Sequence, residues 1–132
     1  MTIDEELYLR LSTSAAIIAV LGATPAVYSG NLPQGFSAPG VFFIRISDTE
    51  HPSNFGCDTG IVRCRYQVSS FADNLPQTRA ISDAVRIALQ RYMGDPIQDI
   101  YVRNMSESYA AAERLYQIDR DFEIVYREVV PL

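Results

Sequence analysis

From Leu115 to Glu128 the chain alternates with a period of two: Tyr116, Ile118, Phe122, Ile124 and Tyr126 against Gln117, Asp119, Asp121, Glu123 and Arg127. Successive side chains of a strand point to opposite faces, so this stretch describes a strand in a sheet with one wet face. Val41 to Ser47 and Ile61 to Phe71 read as two more strands, rich in β-branched and aromatic residues and bounded by turn formers. In the first, Phe42, Ile44 and Ile46 share a face; in the second, Val62, Cys64, Tyr66 and Val68 do, while Arg63, Arg65 and Gln67 point the other way. Ile97 to Asn104, with Ile100 and Val102 on one face, supplies a fourth.

Helical signals flank these strands. Asn74-Leu75-Pro76 opens a helix with a capping residue and a proline in the first turn, where no N–H is needed. Ala80, Ile81, Ala84, Val85, Ala88, Leu89 and Tyr92 form its apolar stripe, Arg79, Asp83, Arg86 and Gln90 its wet side, and Gly94-Asp95-Pro96 its end. Thr2 and Glu5 form a capping-box pattern ahead of a helix beginning near Ile3. Ser12-Thr13-Ser14 can end that helix and cap a shorter one closed by Gly22. The element order predicts an α+β fold in a single domain, residues 1–132: a mainly antiparallel four-stranded sheet with helices packed on one face, α-β-β-α-β-β.

Three segments break this regularity. Ala23 to Gly40 is dense in Gly and Pro and reads as a long arm with one short strand around Ala26 to Tyr28. Tyr28, Leu32 and Phe36 pin it to its own domain or dock it on a partner; both readings stay open. Asp48 to Gly60, with His51 and Phe55, is polar and too long for a tight turn, and is expected to protrude as a mobile tip. Met105 to Arg114 reads as a helical turn or an open loop.

Chemistry is hard to find in these residues. The single His51 has no neighbouring Ser, Cys or carboxylate at a spacing that suggests an oriented base, so no catalytic residue is assigned. The glycines stand singly and make no phosphate loop, and no cofactor is implied. Asp119, Asp121 and Glu123 are spaced along an extended strand instead of converging on a cation, so no metal is expected. They are expected to pair with Arg63, Arg65 and Arg103 across strands. Cys57 and Cys64 match neither a redox nor a zinc spacing and read as reduced thiols. The longest apolar run, Ala15 to Leu21, falls short of a membrane span, and the acidic start is unlike a signal peptide, so a cytoplasmic chain with no membrane partner is expected. The net charge of −5, with 11 basic residues that are all Arg, argues against a tight grip on phosphates, which needs clustered cations.

The succession of segments resembles the small tail-completion, or tail-terminator, family of tailed bacteriophages, prophages and gene transfer agents. The resemblance is carried by the helix ending at Leu21-Gly22 and the arm Leu32-Pro33-Gln34-Gly35 to Ala38-Pro39-Gly40. It continues through the strands Val41 to Ser47 and Arg63 to Val68, the helix Thr78 to Leu89, and the closing Asp121 to Glu128. It implies a virion structural protein, not an enzyme, forming a hexameric ring at the head-proximal end of the tail. That ring would cap the tube, stop its polymerisation and receive the head. The expected partners are copies of itself, the tail tube protein and a head–tail connector or stopper protein, with double-stranded DNA passing through unbound. Interface positions are expected at Tyr28, Leu32, Phe36, His51, Phe55, Arg63 and Arg65. Another head–tail joining protein and a small cellular α+β binding module are the competing readings.

Overall fold

The computed structural model describes residues 3–22, 25–30, 38–52, 58–94, 97–111 and 114–127. Helix α1 spans Ile3–Thr13, with Asp4, Glu5 and Glu6 in the first turn, where carboxylates complement the positive end of the helix. Ser14, in extended conformation, separates it from α2, Ala15–Leu21. Gly22 closes α2 at φ 95°, a conformation open to glycine. Helix α3 spans Leu75–Leu89, and the Asn74 side chain accepts the N–H of Gln77 at 2.8 Å. It stops short of Gly94-Asp95-Pro96: Arg91 turns left-handed at φ 63° and donates its N–H to the Ile100 carbonyl, which hands the chain to the sheet.

That sheet contains β1 (Val27–Ser29), β2 (Gly40–Pro52), β3 (Asp58–Ala72), β4 (Ile97–Ala110) and β5 (Leu115–Arg127), in the spatial order β1-β2-β3-β5-β4. The α+β class is as expected, but the four-stranded sheet is five-stranded and mixed, because the short strand of the arm joins β2 as a parallel edge. The N-terminal helical region is two helices, so the order becomes α-α-β-β-β-α-β-β.

Two segments expected to lack strand, one as a protruding tip and one as a helical turn or open loop, contribute residues to strands. Within Asp48 to Gly60, β2 continues to Pro52 and β3 begins at Asp58, with Thr49 opposite Arg63 and Glu50 opposite Val62. In Met105 to Arg114, β4 runs to Ala110, which pairs with Leu115. Ladder hydrogen bonds to a neighbouring strand satisfy the backbone whatever the side chains are, so polar residues extend a strand without burying anything. The register places the β2–β3 and β4–β5 hairpin ends at opposite ends of the sheet: Ile61 faces Arg127, while Ala72 faces Tyr116. Residues 31–37 and 53–57, which hold Leu32, Phe36, Phe55 and the centre of the expected tip, lie outside the described residues.

The core lies between the helices and one sheet face. Leu7, Leu11, Ile17, Ile81, Val85 and Leu89 pack with Val41, Phe43, Tyr66, Val68, Phe122 and Ile124, all fully buried. Here β2 shows the opposite face from the one its isoleucines suggested. Val41 and Phe43 are buried beside Ser70 and Val68 of β3, whereas Ile44 and Ile46 are exposed. The run Val41-Phe42-Phe43-Ile44 is apolar in both alternations, so the register with β3 selects the buried one.

Candidate interface surfaces

The acidic first turn of α1 clamps the helix to the domain. Asp4 accepts the Tyr66 hydroxyl, which itself accepts Nε of Arg45 at 3.0 Å; Glu6 accepts the Tyr92 hydroxyl. Arg10 stacks over the Tyr92 ring at 4.7 Å and donates Nε to the Ala88 carbonyl at 2.8 Å. Burial, then the bond to Asp4, raises the Tyr66 phenol well above its ordinary value. The Tyr92 phenol is raised first by its bond to Glu6. On the other side of α3, Arg120 is buried beneath the helix, donating Nε to Ser82 Oγ at 2.6 Å and pairing with Asp83 at 3.0 Å. Among the described residues, every buried side-chain nitrogen and oxygen has a hydrogen-bond partner.

The open face of the sheet carries a charge ladder. Arg65 pairs with Asp121 at 2.7 Å, and Arg103, in a register shift of β4, approaches Glu123 at 3.7 Å. Asp119 accepts from Ser69 at 2.6 Å and from Gln117 at 2.8 Å. The expected cross-strand pairing of these carboxylates with arginines thus holds for Asp121 and Glu123, while Asp119 takes neutral donors. Arg63 lies on the same face, opposite Val125, without an ion-pair partner among the described residues. Tyr28 is half-buried in β1 opposite Phe42, so it also belongs to this face. His51 lies in β2 within a second register shift. Of the expected interface residues, the fold therefore gathers Tyr28, Arg63 and Arg65 on one open face.

Several surface residues went unnoticed in the sequence. Ile87 and Met93 are 69% and 73% exposed, and Tyr8 and Leu9 on α1 are about half exposed. Ile87 stands between Arg86 and Ala88, off the apolar stripe, and that misplacement was the available signal. Ile87 shares an open groove with Asp83, Arg86, Gln90 and Arg91; Tyr8 and Leu9 share another with Asp4, Glu5 and Ser29. Grooves open to solvent and surfaces of mixed charge suit contact with other macromolecules better than enclosure of a substrate.

This is an α+β domain whose features are surfaces, the architecture of an assembly subunit. The chain belongs to the tail completion protein gp17 family, whose model matches residues 5–127. Its members are non-enzymatic structural proteins, which places this chain in the tail of a virion. A chain of a solved structure described as "Virion of native gene transfer agent (GTA) particle" shares the fold, with a TM-score of 0.70 and 17% identity over 95% of this chain and 94% of that one. No curated protein matches.

Proposed function

We propose that this chain forms a closed ring, hexameric in the simplest case, that caps the finished tail tube, stops its polymerisation and receives the head. The carrying observation is that the sheet ends in two unlike edges: a three-residue parallel strand beside β2, and the 14-residue antiparallel β4. A ring needs such heterologous surfaces, one patch meeting a different patch on the next copy with a rotation that closes. The open sheet face lines the channel in this reading. Its charge ladder supports that assignment in Arg65 and Arg103, which are held by carboxylates and offer DNA little of the counterion-release attraction that would stall its passage, whereas Arg63 on the same face has no ion-pair partner among the described residues.

The test adds purified protein to tail tube protein polymerising in vitro, with native mass spectrometry reporting subunit number. Tubes that stop growing and carry a ring at one end support the reading. Tubes that elongate unchanged in a stoichiometric excess of the protein sink it, and a protein that binds connector without halting tubes is a different joining part.

A further inference from the structure

Both edges of the sheet carry backbone groups without a partner among the described residues. β1 forms one edge; β4 forms the other and is covered only at its start, where Arg91 and Gly94 donate their N–H groups to the carbonyls of Ile100 and Ile97 at 2.8 and 2.9 Å. Past the register shift between Val102 and Asn104 the β4 edge runs regularly, has no Pro or Lys, and turns its Glu107 onto Arg79 at 3.1 Å. Solvent-facing edges are normally blunted by charges, prolines, bulges or a covering loop, and this stretch has none of them.

The ladder sets the two open edges at one height. Ser29 pairs with Phe43, Phe43 with Val68, Val68 with Arg120 and Arg120 with Met105, and Val27 leads in the same way through Val41, Ser70 and Ile118 to Glu107. The faces agree: Ser29 and Met105 lie level with the buried Phe43 and Arg120 on the helix side, whereas Tyr28 and Ser106 lie on the open side. The hydrogen-bonding directions agree as well. Val41 donates to Ala26 and Gly30 to Phe43, so Val27 and Ser29 turn their own N–H and C=O groups outward. The same alternation, carried across the ladder, turns those of Met105 and Glu107 outward from β4.

We infer that β4 of one subunit pairs with β1 of a second copy of this chain, Met105 and Glu107 opposite Ser29 and Val27, so that the sheet continues from copy to copy. The inference rests on the ring reading and specifies its subunit interface. A second copy is the occupant because a plain rotation delivers the match. β1 is parallel to β2, and each step from β2 to β4 reverses direction, so β4 runs antiparallel to β1. Rotation about a channel axis along the strands keeps that direction, the common height and the faces, and brings outward groups of one edge onto outward groups of the other. On the helix side, the exposed Met105 and Tyr109 then come against Tyr8 and Leu9, which share a groove with Ser29. A hexamer of five-stranded sheets, at about 4.8 Å per strand, closes a barrel at least roughly 45 Å across its backbone, with the helices outside, the charge ladder inside and room for a duplex.

The test uses chains with one added cysteine in a Cys57→Ser background, since Cys64 is buried. Ser29→Cys and Met105→Cys proteins are treated with a short bis-maleimide, separately and mixed, in the presence of tail tubes. A covalent dimer from the mixture and from neither protein alone is the expected result; dimers from one protein alone, or none from the mixture, overturn the seam. In parallel, Met105→Pro removes an N–H that points away from β5, a change that an edge strand accommodates, and is expected to weaken subunit association at least roughly tenfold while the monomer stays folded. Rings formed by Met105→Pro at the wild-type protein concentration overturn the seam; if that variant does not fold, the cross-link decides. Wild-type rings on tubes together with a failed cross-link overturn this interface and leave the ring reading standing. A wild-type chain that remains monomeric on tubes overturns both.

Discussion

Individual side chains show how this small domain anchors its N-terminal helix. Tyr66, buried in β3, donates to Asp4 and accepts from Arg45, so one phenol joins α1 to the sheet. Its folded-state pKa is raised above the ordinary 10.0, so the folded chain holds this proton more tightly than the unfolded chain does. The corresponding stability is complete below about pH 10 and is lost as pH rises above it. Tyr66→Phe should cost about 1 kcal/mol near neutrality through the lost hydrogen bond, and should flatten the fall in Tm between about pH 9 and pH 11. Parallel wild-type and variant curves across that window would refute the assignment; some slope remains in both because Tyr92 is also raised. None of these partners was legible from sequence spacing, since Asp4 and Tyr66 meet only through the fold.

Among the elements, β1 depends on a close approach. A Cβ on Gly40 would lie 2.8 Å from Cζ of the buried Phe71 and 3.1 Å from the Ala26 carbonyl oxygen. That same carbonyl accepts the N–H of Val41 at 2.9 Å, and Gly30 donates to Phe43 at 2.9 Å, so these bonds hold the parallel strand. Gly40→Ala forces ring or backbone to move and should destabilise the fold by about 1–3 kcal/mol, read by denaturant unfolding. Exchange at the Val41 amide should accelerate beyond the global change. Exchange that rises only in step with global stability would show that β1 does not need this glycine. The helices, by contrast, were readable: Asn74, Pro76 and the stripe through Leu89 are local signals, and α3 forms where they indicate. Polar strand extensions were not, because Ser106, Glu107 and Ser108 carry no apolar alternation and are strand only by pairing with β5.

For the assembled particle, the consequence is electrostatic. If the open face lines the channel, Asp121 and Glu123 keep Arg65 and Arg103 from engaging the phosphate backbone. The ring should show no measurable duplex binding at physiological salt. Asp121→Asn with Glu123→Gln should confer binding that weakens steeply with salt, about 0.9 log units of affinity per log unit of salt for each phosphate contacted. A filter-binding or anisotropy titration across salt concentrations reads both. Tight binding by the wild-type ring, or no gain by the double variant, counts against this face as the conduit wall. The acidic net charge argues against a tight grip on DNA; the ladder supplies a way for an arginine-bearing face to behave likewise.

Local periodicity in the sequence determined the identity and order of the main elements, the wet face of β3 and β5, and the buried stripe of α3 from Ile81 to Leu89, although Ala80, expected in that stripe, is exposed. Those properties follow from which side chains alternate within a few residues, and the chain order that carried the family resemblance is of the same kind. Tertiary structure decided the rest. It buried Val41 and Phe43 instead of Ile44 and Ile46, set β5 inside β4, added β1 in parallel, and put Tyr8 and Ile87 on opposite flanks. Each of these depends on a register or packing partner far away in sequence, and a period of two or of 3.6 residues contains no information about which distant strand will be the neighbour.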